Sequence, residues 1–226
     1  MNQSTDRKQM LKNLGRAKGL SQSFLRGLGV QETERGGLSI CYRLQDCSLA
    51  PRQRIRLGMS SKDGFRWTGA GDIVPYGLEK LEMAARDKYL ILVEGESDCW
   101  TLWKYGFAVL GIPGSSMVNT LKKEYLTGLL KIYIWQEPDK AGEGFVSGMA
   151  KRLHEIAWDG NAYVLGLDGV KDPNEMHLAD RSGFKKKMRY LMMRAKVVPR
   201  YIPPKPRDIL RTTGGDLDED KIKRAA

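Results

Sequence analysis

Residues 89–98 (YLILVEGESD) place a carboxylate directly after a short apolar run. The run has the length of one buried strand, and the segment after Gly95 has the composition of a helix. Gly95 permits a tight turn between them, because a residue without Cβ adopts positive φ at little cost. Open α/β sheets place functional groups at the carboxyl ends of strands. Glu94 is therefore a candidate catalytic carboxylate. Asp98 is expected to face the same pocket, and Glu96 to point away from it.

Two further acidic clusters occupy similar positions downstream. Glu137 and Asp139 follow the apolar run 131–135, and Asp172 follows a predicted strand at 161–167. Each cluster alone is also consistent with an acidic helix N-terminus, with Asp139 as a helix cap. Parallel strands bring their carboxyl ends to one edge of a sheet, so the three clusters together predict one site. Oxygen ligands without His or Cys favour Mg²⁺ or Mn²⁺, which assist phosphoryl transfer.

The net charge of +11 is unevenly distributed. Lys and Arg outnumber Asp and Glu in residues 1–70 and 181–226, whereas the acidic residues are in excess between 71 and 180. This layout suits a protein that holds a polyanion at its ends and cations in its middle. A solubilising surface charge is the alternative.

The Cys and His content and the lack of long apolar segments exclude several classes of protein. The three Cys form no CxxC pair and there are only two His, which argues against a structural zinc site within this chain. The first eight residues lack the apolar core of a secretory signal, and no apolar run approaches the ~20 residues that span a membrane. These features predict a reduced, cytoplasmic protein without membrane contact.

The first 75 residues are expected to form a small basic α+β unit. A helix capped by Ser21 is predicted at 21–29, and strands at 38–44, at 52–57 and from Phe65 onward. Alternation on the second strand puts three Arg on one face. With nearby residues they are expected to form a basic wall that binds nucleic-acid phosphates, in which an aromatic ring stacks on a base: Arg52, Arg54, Arg56, Lys62, Arg66 and Trp67. A solvated strand face with core aromatics is the alternative.

After Pro75, apolar runs alternate with helical segments, which predicts βαβ units and a mostly parallel sheet. Helices are expected at 77–86, 97–105, 117–129, 140–157 and within 174–195, and strands at 88–93, 107–110, 131–135 and 161–167. Tryptophans 100, 103 and 158 are expected in the core. From residue 199 onward, the Pro-rich and then charged sequence predicts a linker or disordered tail.

The three acidic clusters together resemble the motifs of the toprim domain, which bacterial-type primases, type IA and II topoisomerases and some nucleases share. Their sequences are VEGxxD at 93–98, ExDxAG at 137–142 and KDPxE at 171–175. Three segments are specifically similar to bacterial-type (DnaG-like) DNA primases: KDPNE at 171–175, GIPGSS at 111–116 and PYGLxxL at 75–81. The EPD form at 137–139 is similar to variants in phage and mobile-element proteins.

The resemblance implies an α/β fold of toprim type, a Rossmann-like, mostly parallel sheet flanked by helices, preceded by the small basic α+β subdomain. The expected division is 1–75 for that subdomain, 76–198 for the toprim catalytic domain and 199–226 for the tail. It also implies a DNA primase core that makes short RNA primers on single-stranded DNA from ribonucleoside triphosphates. A replicative helicase is expected as a partner in cis or in trans. The chain is therefore expected to be either a piece of a primase-helicase or a compact primase of a mobile element.

The resemblance also implies roles for individual residues. Glu94 matches the proposed general acid/base, and the metal site would comprise Asp98, Glu137, Asp139 and Asp172. Ser115 and Lys171 are expected to contact the nucleotide, Ser115 through backbone amides at the turn that contains it. A plain strand-to-helix turn is the alternative for that segment. Two departures matter: Glu137 replaces the family's Asp, and Asn174 stands where primases often have a further Asp. Weak or Mn²⁺-dependent activity follows from these departures.

Two other functions fit the same residues. A toprim nuclease would use the same metal site to cleave nucleic acid, although the basic N-terminal unit and the 171–175 segment argue against it. A non-catalytic DNA-binding toprim module of a replication protein would keep the fold with a degenerate site, for which Asn174 is the best support. No second domain for a nucleophilic Tyr is evident, which argues against a topoisomerase.

Overall fold

The computed structural model describes residues 9–59, 64–199 and 201. Several predicted features lie outside the described residues, namely Lys62, the start of the chain and the tail after residue 201. None of the described helices is long and apolar enough to cross a membrane. The domain limits at residues 75 and 198 stay a prediction.

The N-terminal part contains two short helices and an antiparallel four-stranded sheet. The helices are α1 (Met10–Lys18) and α2 (Gln22–Gly27), and the strands, in spatial order, are β1 (Val30–Glu32), β2 (Leu38–Ile40), β3 (Arg52–Arg56) and β4 (Phe65–Gly69). The Oγ of Ser21 accepts a hydrogen bond of 3.2 Å from the backbone N–H of Phe24, which caps α2 as expected. Strand β1 was not predicted, because only Val30 of its three residues is buried.

The rest of the described chain forms an α/β layer structure around a second sheet. Its elements are α3 (Leu81–Asp87), β5 (Tyr89–Glu94), α4 (Glu96–Lys104), β6 (Val109–Ile112), β7 (Lys131–Trp135), α5 (Lys140–Glu155), β8 (Asn161–Leu165), α6 (Pro173–Ala179), α7 (Phe184–Arg194) and β9 (Lys196–Val197). The strand order is β6-β5-β7-β8-β9. Strands β5 to β8 pair in parallel and β9 is antiparallel to β8. The predicted mostly parallel α/β sheet is confirmed.

The core lies on both faces of this sheet. The four middle residues of β5 are fully buried, as expected of a central parallel strand. Trp100 is fully buried, and its Nε1 donates to the hydroxyl of Tyr76 at 2.9 Å. Trp103 is also buried and donates to the carbonyl of Val109 at 3.3 Å. Their predicted core positions are confirmed, whereas Trp158 is only partly buried.

The helix predicted at 117–129 is wrong. Two 3₁₀ helices, Ser115–Thr120 and Lys123–Leu126, stand in its place, with extended backbone at Leu121 between them. β-branched Val118 and Thr120 disfavour a continuous helix, and the Oγ1 of Thr120 bonds back to the carbonyl of Met117 at 2.7 Å. The edge strand β9 was not predicted, because two exposed residues carry no periodic signal.

The order of the strands creates a crevice at one point of the sheet edge. After β5 the chain adds β6 on one side, and β7 then pairs with the other side of β5. Ligands of open α/β sheets bind at such a reversal, outside the carboxyl ends of the two strands. Glu94 is the last residue of β5 and Glu137 follows β7, so both lie at this point.

Candidate functional site

A cleft of about 760 Å³ opens at this edge, between the two sheets. Four of the five acidic residues predicted for the site line it: Glu94, Asp98, Glu137 and Asp172. Asp139 is not among the lining residues. One of its oxygens accepts a hydrogen bond of 2.9 Å from the N–H of Gly142 and caps α5, as the alternative interpretation predicts.

Glu94 is half-buried at the tip of β5. Burial, followed by the negative charges of Glu137 and Asp139, raises its pKa from 4.5 to about 7, and Lys171 opposes the shift. A carboxyl group with a pKa near the working pH both accepts and releases a proton readily. Glu94 therefore has the electrostatic setting of a general acid/base.

Asp98 lies in the first turn of α4 and is only 5% exposed. Burial, and then the charge of Asp172, raises its pKa well above the ordinary value. Its Oδ1 atom is buried without a hydrogen-bond partner among the described residues. A buried carboxylate oxygen without a partner costs free energy, which a proton or a bound cation relieves.

Glu137 and Lys171 form an ion pair across the cleft, with 3.3 Å between Oε2 and Nζ. Burial raises the pKa of Glu137 although Lys171 lowers it. Next to Lys171, one oxygen of Asp172 accepts from the N–H of Glu175 at 2.7 Å and caps α6. Lys171, predicted as a nucleotide contact, therefore binds a site carboxylate in this structure.

The fit of a metal ion rests on the chemistry of the donors. Among the described residues, no group of three His, Cys, Asp or Glu side chains is arranged to hold a metal ion. The cleft nevertheless has no His or Cys among its lining residues, and its carboxylates offer the oxygen donors that Mg²⁺ and Mn²⁺ prefer. The Oδ1 of Asp98 is buried without a partner among the described residues, and a bound cation would satisfy it. The residues fit a divalent cation.

The predicted basic wall is only partly directed at the cleft. Arg54 and Arg56 line it, as does Phe65. Arg56 donates to the carbonyl oxygens of Gly58, at 2.7 Å, and Met59. The remaining described members, Arg52, Arg66 and Trp67, are not among the lining residues, and neither is Ser115. Trp67 packs edge-on against Tyr42 at 5.1 Å between ring centroids, as a core aromatic would.

Glu96 does not point away, and this prediction is wrong. It is 4% exposed, and its Oε1 accepts from the hydroxyl of Tyr42 at 2.5 Å and from Nη1 of Arg54 at 2.9 Å. Arg54 is thus held by a buried carboxylate instead of standing on a solvated strand face. The partners are 42 and 54 positions apart in sequence, and no local pattern marks them.

Asn174 is a second residue whose role the sequence did not show. It is 2% exposed, and its Nδ2 donates to the carbonyl of Lys18 at 2.9 Å and to Oγ1 of Thr101 at 3.0 Å. These bonds tie α6 to the end of α1 and to α4. The side chain is a structural donor in this arrangement, and so it does not support a degenerate metal site.

Replacing Asn174 by Asp is expected to destabilise the protein by about 1–3 kcal/mol, because a carboxylate would face two acceptors where a donor now bonds them. Urea denaturation with and without Mg²⁺ measures the effect. Asn119→Asp, at an exposed site, is the matched control. Unchanged stability together with tighter Mg²⁺ or Mn²⁺ binding would show that position 174 is a metal-ligand position instead.

The raised pKa of Glu94 predicts a pH dependence of stability. The folded protein holds this proton up to about pH 7, whereas the unfolded chain releases it near 4.5. The folded state therefore binds more protons in this window, and the free energy of unfolding falls as the pH rises through it. Glu94→Gln should flatten this slope in urea denaturation without divalent ions, and the exposed Glu82→Gln should not. Equal slopes in wild type and Glu94→Gln would contradict the assignment.

No protein-family model matches the sequence, and no curated protein matches it. Solved structures of primases do share its fold. A DnaG primase catalytic domain bound to single-stranded DNA has a TM-score of 0.66 and 15% identity, over 83% of this chain and 72% of that one. The primase fragment of the bacteriophage T7 primase-helicase protein has a TM-score of 0.59 and 21% identity, over 78% and 72%.

The Aquifex aeolicus primase structure, which comprises zinc-binding and RNA polymerase domains, has a TM-score of 0.57 and 16% identity. The alignment covers 82% of this chain and 49% of that one, so this chain matches about half of its length. The similarity to primase catalytic cores confirms the predicted toprim-type fold.

Proposed function

We propose that this chain is the catalytic core of a DNA primase, a nucleotidyltransferase that joins ribonucleoside triphosphates into short RNA primers on single-stranded DNA. One observation carries the proposal. In a fold shared with primase cores, a cleft at the sheet reversal holds a carboxyl of pKa about 7, Glu94, beside buried Asp98. The similarity of fold supports the substrate class, and the cleft supports the chemistry.

Glu94 would act on the attacking group. In primer extension a 3′-hydroxyl forms a bond to the α-phosphate of the incoming nucleotide, and the bond to the β-phosphate breaks as pyrophosphate leaves. The ionised Glu94 would accept the proton of the hydroxyl, which its pKa near neutrality allows. Its place at a strand tip fixes the carboxyl on a rigid element.

A divalent ion, Mg²⁺ or Mn²⁺, would be held by the cleft-lining carboxylates Asp98, Glu137 and Asp172, and when bound it would neutralise charge on the transferred phosphate. Asp98 offers an oxygen without a partner. Glu137 would exchange its contact with Lys171 for the ion, and Lys171 would then be available to the nucleotide phosphates.

The basic side chains around the cleft support the choice of partners. Arg56 and Lys171 line its walls, and they suit the phosphates of a template strand or of a nucleotide. Phe65 offers an aromatic ring beside Arg54. A replicative helicase, in cis or in trans, completes the proposal, with support from a structural neighbour that is the primase fragment of a primase-helicase.

The test is de novo synthesis on single-stranded DNA with labelled ribonucleotides, in Mg²⁺ and separately in Mn²⁺. Metal-dependent short RNA products support the proposal. A cleaved template in the same reactions would instead identify a nuclease. DNA binding with neither product nor cleavage would identify a non-catalytic binding module.

A further inference from the structure

A buried cluster of three side chains connects the N-terminal sheet to α4. It comprises Tyr42, Arg54 and Glu96, and is called the Glu96 cluster here. The same oxygen of Glu96 accepts from the hydroxyl of Tyr42 at 2.5 Å and from Arg54 at 2.9 Å. Tyr42 is fully buried and the side chain of Arg54 is 12% exposed. Hydrogen bonds to an ionised group are short and strong, so these contacts fix Glu96 in one orientation.

Aromatic rings hold the two donors of the Glu96 cluster in place. The guanidinium of Arg54 lies over the ring of Phe65, 4.0 Å from its centroid, and 5.4 Å from that of Trp67. The ring of Tyr42 contacts Trp67 on one side and Tyr76 on the other, at centroid distances of 5.1 and 4.9 Å. A donor packed in this way loses little additional freedom when it binds Glu96.

Glu96 occupies a sensitive position in the chain. It is the first residue of α4, between the proposed catalytic Glu94 and the proposed metal-binding Asp98. Only one residue separates it from each of them, so a change in its orientation would turn the residues on either side. Its negative charge would also add to that of the cleft, and Arg54 offsets it.

We propose that Arg54 and Tyr42 are positioning residues that act through Glu96. They hold the first turn of α4 so that Glu94 and Asp98 face the cleft, and they make the N-terminal sheet part of the catalytic site. The inference rests on the proposed function of the cleft and assigns these side chains a role other than binding nucleic acid.

A purely structural ion pair is the competing explanation, and double replacement separates the two. Breaking a buried ion pair by removing one partner is strongly destabilising, whereas replacing both partners by apolar residues is often neutral. A structural pair would therefore recover both stability and activity in Arg54→Met/Glu96→Met. A positioning pair would recover stability alone, because Met does not orient the turn.

Primer synthesis is to be measured in Arg54→Met, Glu96→Met, the double variant and Tyr42→Phe. Tyr42→Phe removes only a hydroxyl, and Tyr42 does not line the cleft, so no contact with substrate is lost. We expect lower melting temperatures in the single Met variants and near wild-type melting in the double variant. We expect kcat to fall at least tenfold in the double variant and in Tyr42→Phe, with KM for nucleotides changed less than threefold. The decrease in kcat should be smaller in Glu96→Gln, which keeps an acceptor oxygen. Wild-type kcat in the double variant would overturn the proposal.

Amide hydrogen exchange over residues 94–100 tests the same inference without activity. We expect exchange at least tenfold faster there in Tyr42→Phe and in the double variant than in wild type. Arg35→Met, which removes one exposed Arg from a turn of the N-terminal part, is the control and should leave exchange unchanged. Unchanged exchange in all variants would overturn the positioning role. If the wild type makes no primers, the proposed function fails, and the exchange result still decides on the positioning role.

Discussion

Primer synthesis should fall by about 10²–10⁴-fold when Glu94 is replaced by Gln, which is the range that general acid/base catalysis contributes. Gln has nearly the same size and keeps a polar group at the strand tip, but it neither accepts nor releases a proton near pH 7. The fold and the binding of single-stranded DNA should be retained, because the proposed DNA contacts lie on other side chains. Single-turnover extension of a preformed primer measures the chemical step directly.

The expected effect of Glu94→Gln on stability shows whether a loss of activity arises from the chemistry or from unfolding. The folded protein raises the pKa of Glu94, so its ionised form is disfavoured at neutral pH. Gln carries no charge, and Glu94→Gln should be at least as stable as wild type at pH 7.5 without divalent ions. Loss of activity would then not arise from unfolding. Glu82→Gln, at an exposed position of α3, is the matched control and should keep full activity. Undiminished synthesis in Glu94→Gln would remove Glu94 from the mechanism.

Much of the cleft could be predicted because its carboxylates follow local rules. Glu94 and Glu137 each come at the end of a short apolar run, and the predicted β7 has the observed bounds, Lys131–Trp135. Such signals depend on neighbours in sequence, namely apolar runs, glycine turns and helix caps. The parallel pairing of β5 with β7 then brings the two carboxylates together.

The missed features depend on partners far away in the chain. Nothing near Glu96 reveals that Arg54, 42 positions earlier, holds it, and nothing near Asn174 reveals the carbonyl of Lys18, 156 positions earlier. The failure at 117–129 has a local origin instead. β-branched Val118 and Thr120 disfavour a continuous helix, and two 3₁₀ helices form in its place.

Gly142→Ala is expected to lower the free energy of unfolding by about 2–3 kcal/mol, at the upper end of the usual cost of overpacking. A Cβ on Gly142 would lie 2.2 Å from the carbonyl oxygen and 2.6 Å from the amide nitrogen of Glu137. Both atoms belong to the backbone, so a rotation of the side chain cannot relieve the clash. For a chain of this size the melting temperature should fall on the order of 5–10 °C.

The neighbouring glycine of the same helix gives the control for this prediction. A Cβ on Gly144 would meet nothing within 4 Å, and Ala is favoured over Gly within a helix by about 0.5–1 kcal/mol. Gly144→Ala should therefore raise the melting temperature, while Gly142→Ala lowers it. Because the clash displaces Glu137, Gly142→Ala should also weaken the stabilisation that added Mg²⁺ or Mn²⁺ gives. Equal effects of the two substitutions would show that the contact between the start of α5 and Glu137 does not shape the cleft.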